Sequence, residues 1–208
     1  MILKKYGIWI FMAVVVLLPM GVFAIVKWYE YSYTKLPELG PNDHEIANFQ
    51  LTDQTGRTVS LQNWNDKIVV ANLFFTHCPS VCPKMIRSLK RVQQTYANDP
   101  QLLINSFTVD PERDTVAQLA RYASMADIRN NWQLITGSKK DIYKLARKSF
   151  LIVATDGDGG PNDFIHSELL VLIDQQKHIR GFYNGTDEGE VTNLLRDIKR
   201  LKQGYARK

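Results

Sequence analysis

The ten residues Lys67–Thr76 (KIVVANLFFT) are almost entirely apolar, and they constrain the fold more than any other segment of the chain. A strand with one face in water alternates apolar and polar side chains, whereas a continuous apolar run predicts a strand covered on both faces. From about Pro83 to Ala97 the apolar side chains then recur at helical spacing. A buried strand followed directly by an amphipathic helix predicts an α/β domain.

The rest of residues 46–208 continues this alternation of strand and helix patterns. The predicted order is ββ-β-α-β-α-β-α-ββ-α, which indicates one domain with a central mixed sheet flanked by helices. Asp114 and Ser138 are predicted to cap the second and third helices, and Asp187 with Glu190 to open the last. The predicted strands are Ala47–Thr52, Arg57–Leu61, Lys67–Thr76, Leu102–Val109, Trp132–Thr136, Glu168–Ile173 and His178–Tyr183. The first two are predicted to form a hairpin across the turn Asp53–Gly56, and the last two a second hairpin across Asp174–Lys177.

Gly7–Val26 is a run of 20 residues without a charge. A helix of about 20 apolar residues spans the hydrocarbon core of a bilayer, so the run predicts a transmembrane helix. Lys4 and Lys5 precede it, and the positive-inside bias then places residues 1–6 in the cytoplasm and the bulk of the chain outside. The alternative is a signal peptide cleaved after Val22-Phe23-Ala24, although the apolar run continues past that point.

Residues 27–45 are interpreted as a tether, because they contain Pro37, Gly40 and Pro41 and show little periodicity. The six residues before the apolar run leave no room for an Arg-rich transit peptide, which favours a bacterial inner membrane over an organelle. The soluble domain is therefore expected on the periplasmic side, where a disulfide can persist.

The formal net charge of +5 does not indicate nucleic-acid binding, because the basic excess lies at the two ends of the chain. Residues 1–36 carry +3 and residues 196–208 carry +5, so the body between them carries −3. The sequence contains no interleaving of basic and aromatic residues and no recognised nucleic-acid motif. No nucleic-acid partner is expected.

The segment THCPSVCPK carries the only two cysteines, at the junction of the buried strand and the first helix of the domain. Both precede a proline, so Cys78 is predicted to end the strand and Cys82 to cap the helix. The helix N-terminus and nearby cations should lower both thiol pKa values below about 8.5. Two buried thiols or an inert disulfide are the structural alternatives.

A third metal ligand would have to come from elsewhere, and the histidines are the first candidates. His44 and His178 are expected at the surface, and strand alternation points His77 away from Cys78. His166 precedes a predicted strand, and it lies at the cysteine edge of the sheet only if that hairpin neighbours Lys67–Thr76. Spacing alone leaves a structural role for His166 open.

The segments FFTHCPSVCPKM, TVDPERDT, WQLITG and DFIHS, in this order, resemble the SCO/SenC family of copper-binding cytochrome c oxidase assembly proteins. The resemblance covers most of residues 45–203. It implies a thioredoxin-like fold and copper ligands at Cys78, Cys82 and His166. It also implies a copper donor protein and a copper-receiving oxidase subunit as partners.

The donor chemistry agrees with copper, because two soft thiolates and an imidazole suit Cu(I) in three-coordinate geometry. Cu(II) would call for a fourth ligand, which the sequence does not identify. The alternative function is a thiol–disulfide oxidoreductase with Cys78 and Cys82 as its redox pair, although the spacing is C-x-x-x-C and not C-x-x-C. The segment Asp110–Thr115 is either a turn that caps the next helix or a functional segment, which supports the site or contacts a partner.

Overall fold

The computed structural model describes residues 2–41, 44–129, 131–152 and 167–206 of the chain. It divides into two units, the first comprising Met1–Leu36 with Arg200–Lys208 and the second comprising Pro37–Lys199. The strands are β1 (Gln50–Asp53), β2 (Thr58–Ser60), β3 (Ile68–Phe74), β4 (Leu102–Thr108), β5 (Trp132–Thr136), β6 (Leu169–Ile173) and β7 (Ile179–Asn184). The helices are α1 (Ile2–Thr34), α2 (Val81–Thr95), α3 (Val116–Met125), α4 (Lys139–Lys144) and α5 (Glu188–Tyr205).

The seven strands form one mixed sheet in the order β2-β1-β5-β4-β3-β6-β7. Strands β3, β4 and β5 are parallel, and β6 pairs with β3 in antiparallel fashion. All seven residues of β3 are buried, which confirms the strand predicted from the apolar run. The α/β class and the mixed sheet flanked by helices are confirmed.

Side chains alternate between the two faces of the sheet. One face carries a buried cluster in which Phe49, Trp64, Phe107 and Phe150 make ring contacts with centroid distances of 5.1–6.2 Å. The indole N–H of Trp64 donates to Asn105 Oδ1 at 2.7 Å, so the polar end of this buried ring is satisfied. The opposite face is covered by helices, as the contact between the rings of Phe74 and Tyr122 on α3 shows.

Of the helix caps predicted at Ser138 and Asp114, the first is confirmed and the second is wrong. The Ser138 hydroxyl accepts from the backbone N–H of Asp141, so the predicted cap of α4 is confirmed. The prediction for Asp114 is wrong, because Thr115 caps α3 by accepting from the N–H of Gln118. Asp114 is instead fully buried and bonds to residues at the ends of two strands, as described below.

Helix α1 contains an apolar window, Trp9–Tyr29, that is long enough to cross a membrane and has no side chain buried inside the protein. The helix continues to Thr34, so the first part of the predicted tether is helical. The residues that interrupt a helix, Pro37, Gly40 and Pro41, all come after that point. Leu39 pairs with Ile179 in the second unit, which ties the end of this segment to β7.

Candidate metal centre

The two cysteines lie on the connection between β3 and α2. Strand β3 ends at Phe74 and α2 begins at Val81, so Cys78 lies in the loop and Cys82 in the first turn of the helix. The prediction that Cys78 ends the strand and that Cys82 caps the helix is therefore wrong by a few residues. The cap position belongs to Ser80, whose side chain makes no capping hydrogen bond.

The sulfur of Cys78, rather than the side chain of Ser80, accepts a hydrogen bond from the N-terminal turn of α2. The backbone N–H of Cys82 donates to Cys78 Sγ at 3.3 Å. The first N–H groups of a helix have no partner within the helix, and an electron-rich sulfur is a suitable acceptor for them. The loop thus folds back so that the sulfur of Cys78 lies against the N-terminal turn that carries Cys82.

The two thiols have opposite protonation behaviour. Burial opposes ionisation of Cys78, but hydrogen bonds from the backbone N–H groups of Cys82, Ser80 and Val81 outweigh it and lower its pKa below 9.0. Burial raises the pKa of Cys82 to about 12, and the neighbouring charges of Cys78 and Asp114 add to this effect. The expectation of two lowered pKa values holds for Cys78 and is wrong for Cys82, which is only 6% exposed.

Both cysteines face one apolar cavity of about 290 Å³. Its wall combines the end of β3, the cysteine loop, the residue after β4 and the residue two positions before β6. The lining residues are Leu73, Phe74, Phe75, Cys78, Pro79, Ser80, Val81, Cys82, Val109 and Ser167. Such a cavity offers few oxygen donors to an ion held by the sulfurs, which favours a soft metal ion over a hard one.

Asp114 anchors the cysteine loop to the sheet. Its carboxylate accepts from the backbone N–H of Thr76 at 3.0 Å and from the Thr76 hydroxyl at 2.5 Å. It also accepts from the hydroxyl of Thr108 on β4 at 2.5 Å. Thr76 is two residues before Cys78, so this buried carboxylate fixes the start of the loop. Within Asp110–Thr115, Asp110 forms the predicted turn, because its carbonyl accepts from the N–H groups of Arg113 and Asp114. Asp114 supports the site, so both interpretations of this segment hold, each for a different residue.

Strand pairing shows which strand lies beside β6. Asn72 of β3 pairs with Leu170 of β6 in antiparallel register. The N-terminal end of β6 therefore lies beside the C-terminal end of β3, from which the cysteine loop departs. The predicted hairpin does neighbour the buried strand.

The histidines that the structure describes do not join the cysteines. His44 Nε2 lies 2.8 Å from the carbonyl oxygen of Ser149, and His178 pairs with Asp174 and Glu38. His77 is exposed and bonds to the hydroxyl of Thr76. Among the described residues no group of three His, Cys, Asp or Glu side chains could hold a metal. The predicted third ligand, His166, lies outside the described residues.

A parallel β-α-β-α-β core with antiparallel strands beside it, and a thiol pair where the central strand meets a helix, defines a thioredoxin-like domain. Comparison with protein families takes this class further. The SCO1/SenC family model matches residues 37–203, and the chain belongs to that family. The fold and the family implied by the sequence are thus confirmed.

Individual relatives agree with this assignment. The SCO1 protein homologue of Bacillus subtilis is 29% identical over 162 residues, covering 76% of this chain and 83% of the relative. BsSco, a member of the Sco family of cytochrome c oxidase assembly proteins studied for a disulfide switch, is 27% identical with a TM-score of 0.65, covering 79% of this chain and 96% of its own. ScoI of Bradyrhizobium japonicum, solved with copper bound, is 27% identical with a TM-score of 0.58, covering 72% of this chain and 97% of its own.

Proposed function

We propose that this protein is a membrane-anchored copper chaperone that helps assemble the copper centre of a respiratory cytochrome c oxidase. Copper is its cargo, and Cys78, Cys82 and His166 are the ligands. The observation that carries the proposal is that both cysteines face one small apolar cavity, which Ser167 also lines. The copper-bound relative and the oxidase-assembly relative named above support the same function.

The cysteine pair suits Cu(I) on chemical grounds. Thiolates are soft ligands, and the cavity around them is lined mainly by apolar side chains. The pKa of Cys82 is about 12, so metal binding must displace the proton from that buried thiol. Copper binding should therefore release protons and strengthen as the pH rises.

Chain geometry supports His166 as the third ligand. His166 is bonded to Ser167, and consecutive Cα atoms are about 3.8 Å apart. Ser167 lines the cavity that both cysteines face. Asn72 of β3 pairs with Leu170 of β6. Thr76 lies four positions after Asn72 in the sequence, and His166 lies four positions before Leu170. The position of Ser167 at the cavity therefore supports the proposal of His166 as the third ligand.

The apolar helix supports anchoring to a membrane. The window Trp9–Tyr29 is long enough to span a bilayer, and in the proposed arrangement it crosses the inner membrane of a bacterial cell once. Lys4 and Lys5 then lie on the cytoplasmic side. The cysteine domain faces the periplasm, where it meets a copper donor and a copper-receiving oxidase subunit.

Transfer of the cargo follows from the ligand set. Cu(I) passes to the acceptor by ligand exchange, in which each new copper–ligand bond replaces one to Cys78, Cys82 or His166. The oxidation state of copper does not change, and the released thiolates take up protons from solvent. A cavity at the surface of the loop lets an acceptor ligand approach while the sulfurs still hold the ion.

Copper binding by the full-length protein in detergent micelles tests the proposal. Anaerobic titration with Cu(I) against a coloured chelator should give one copper per chain, and X-ray absorption should count two sulfurs and one nitrogen. The His166→Ala variant should lose the nitrogen and bind at least about tenfold more weakly, which is about 1.4 kcal/mol. The matched control is His77→Ala, which removes an exposed imidazole next to Cys78.

Two results would count against this ligand set. Full affinity and an unchanged nitrogen signal in His166→Ala would exclude His166 as a ligand. Loss of the nitrogen in His77→Ala would assign the third position to His77 instead.

A thiol–disulfide oxidoreductase is the second candidate, and the asymmetry of the two thiols favours it. Cys78 is half-buried with a lowered pKa, as expected of an attacking thiol, and Cys82 is buried with a raised pKa, as expected of a resolving thiol. Attack by Cys78 on a partner disulfide would form a mixed disulfide. Cys82 would then release the partner as a dithiol, leaving a Cys78–Cys82 disulfide for an external thiol reductant.

Reduction of a model disulfide separates the two candidates. The reductase requires both cysteines and is insensitive to His166→Ala, whereas the chaperone loses copper affinity in that variant. Glutathione disulfide serves as the probe, and the reduction potential of the thiol pair is measured on the same sample. A wild type that binds Cu(I) weakly and reduces the probe at the same rate as His166→Ala would favour the reductase.

A further inference from the structure

Helix α2, which begins at the cysteine pair, presents a face of uncompensated positive charge. Lys84, Arg87 and Arg91 are exposed and spaced three and four residues apart, so they share one side of the helix, and Lys90 lies half-buried near them. These four residues are here named the basic face of α2. The helix contains no Asp or Glu, although residues 37–195 carry a net charge of −3.

The basic face has no partner among the residues that the structure describes. None of its four cations is within ion-pair distance of a described carboxylate, and none bonds to the cysteine loop. Other exposed arginines of the domain do find carboxylates, as Arg113 does with Asp110 and Arg129 with Asp127. The charge of α2 is therefore directed outward.

Helix electrostatics disfavours this arrangement. The N-terminus of a helix carries a partial positive charge, so acids stabilise the first turn and bases the last. Helix α2 has no acid in its first turn and no base in its last turn, and Lys84 follows Cys82 by two residues. The helix dipole therefore does not account for Lys84, the member of the basic face that lies in the first turn.

The position of the basic face relative to the sulfurs points to a role in exchange. A protein that takes up or delivers copper must bring its own ligands to the cavity of Cys78 and Cys82. Val81 and Cys82 line that cavity and begin α2, so such a protein comes close to the first two turns of the helix, which carry Lys84 and Arg87. Opposite charge on two approaching proteins raises the rate of encounter and fixes the orientation.

We propose that the basic face of α2 is the docking surface for an acidic surface of the protein that accepts copper from the cysteine site. The inference rests on the proposed copper function and names its partner by charge. Lysine and arginine on the face supply ionic contacts at the rim, and the apolar cavity lies beside them. The face sets the rate and register of docking, and the sulfurs hold the cargo.

The test uses the full-length protein in phosphatidylcholine nanodiscs and the metal-free copper-accepting oxidase domain from the same cells as the probe. The reversal variant is Lys84→Glu with Arg87→Glu and Arg91→Glu. The matched control reverses Lys140, Lys144 and Lys148, which are exposed on and after α4 and give the same change in net charge. Docking without copper, Cu(I) transfer rate and Cu(I) affinity are measured from low to high salt.

The reversal variant should dock and transfer about 10- to 100-fold more slowly at low salt, with little salt dependence left. Its Cu(I) affinity and that of the control should equal the wild type, and the control should transfer within about twofold of it. Salt-dependent docking by a wild type that binds no copper would refute the proposed copper function and leave the docking surface standing.

Three outcomes would overturn the docking surface. The first is a reversal variant that docks and transfers like the wild type at every salt concentration. The second is an equal loss in the α4 control, which would reveal an effect of net charge alone. The third is a loss seen only when the nanodiscs contain anionic phosphatidylglycerol, which would assign the basic face to lipid.

Discussion

Replacing Asp114 tests how the fold holds the cysteine loop in place. The Asp114 side chain is fully buried, and its carboxylate accepts three hydrogen bonds, two from Thr76 and one from Thr108. Thr76 precedes Cys78 by two residues, while Thr108 is the last residue of β4. Asp114→Asn keeps the shape of the side chain and removes its charge. We expect it to loosen the start of the cysteine loop.

The strength of these hydrogen bonds determines how much Asp114→Asn lowers the free energy of unfolding. A hydrogen bond to a charged group contributes about 1.5–3 kcal/mol, and a neutral one about 0.5–1.5 kcal/mol. With its amide oxygen in place of Oδ2, the asparagine can still accept from the Thr76 N–H and the Thr108 hydroxyl, and the Thr76 hydroxyl can rotate to accept from the new NH₂ group. Asp114→Asn should therefore lower the free energy of unfolding by about 1–3 kcal/mol. Asp114→Ala leaves these donors unpaired and should cost about 3–5 kcal/mol.

The control for this experiment is Asp53→Asn in the β1–β2 hairpin. Asp53 is also buried and accepts four hydrogen bonds, from the N–H and hydroxyl of Thr55, the N–H of Arg57 and the side-chain amide of Gln133. Asp53 is on β1, and strands β5 and β4 lie between β1 and β3, from which the cysteine loop departs. Both variants should lose similar stability in urea, but only Asp114→Asn should bind Cu(I) about tenfold more weakly.

Hydrogen exchange identifies the physical cause. The amide of Thr76, which donates to Asp114, should exchange faster in Asp114→Asn than in the wild type and in Asp53→Asn. Unchanged protection at Thr76 together with unchanged copper affinity would refute the role assigned to this carboxylate. Equal losses of copper affinity in both variants would show that stability alone, and not the loop anchor, controls the site.

Three further predictions concern other parts of the domain. Iodoacetamide should modify Cys78 of the metal-free protein before Cys82 and faster as the pH rises, because the pKa of Cys78 is lowered while Cys82, with a pKa of about 12, stays protonated. Peptide mapping across a pH series measures both rates, and equal rates for the two cysteines would contradict this prediction. Trp64→Phe removes the donor to buried Asn105 and should lower the urea unfolding free energy by about 1–3 kcal/mol, and an unchanged midpoint would argue against the bond. Gly181→Ala puts a Cβ against the ring and hydroxyl of Tyr183, so it should displace the Tyr183–Asp197 hydrogen bond and cost about 1–3 kcal/mol in thermal unfolding, whereas a variant as stable as the wild type would rule out this close approach.

The strands and helices were largely predictable because their signals are local. The apolar run Lys67–Thr76 predicted a strand buried on both faces, and Ile68–Phe74 is such a strand. The turn Asp53–Gly56 predicted the β1–β2 hairpin, whose strands pair as expected. In both cases neighbouring residues carry the whole pattern, so nothing distant in the chain was needed.

The supports of the site were not predictable, because they depend on contacts between distant segments. Asp114 has the sequence context of a helix cap, since it precedes a helical pattern, but its partners Thr76 and Thr108 are set by the pairing of β3 with β4. The raised pKa of Cys82 likewise follows from burial that one helix alone does not reveal. Local reasoning from the helix N-terminus predicted a lowered pKa there, and desolvation proved the larger effect.

The proposed ligands come from two separately held parts of the chain, and this division suits a protein that must give up its cargo. Cys78 lies on the loop that Asp114 keeps in place, and its sulfur accepts from the N–H of Cys82 in the first turn of α2. His166 belongs to a different segment, before β6, so in the proposed ligand set its bond to copper would break separately from the bonds to the sulfur pair. An acceptor ligand can then take the vacated position while both sulfurs still hold the ion. An acceptor oriented by the proposed docking surface on α2 would arrive from the helix side of the cavity, so docking and ligand exchange would not compete for the same atoms.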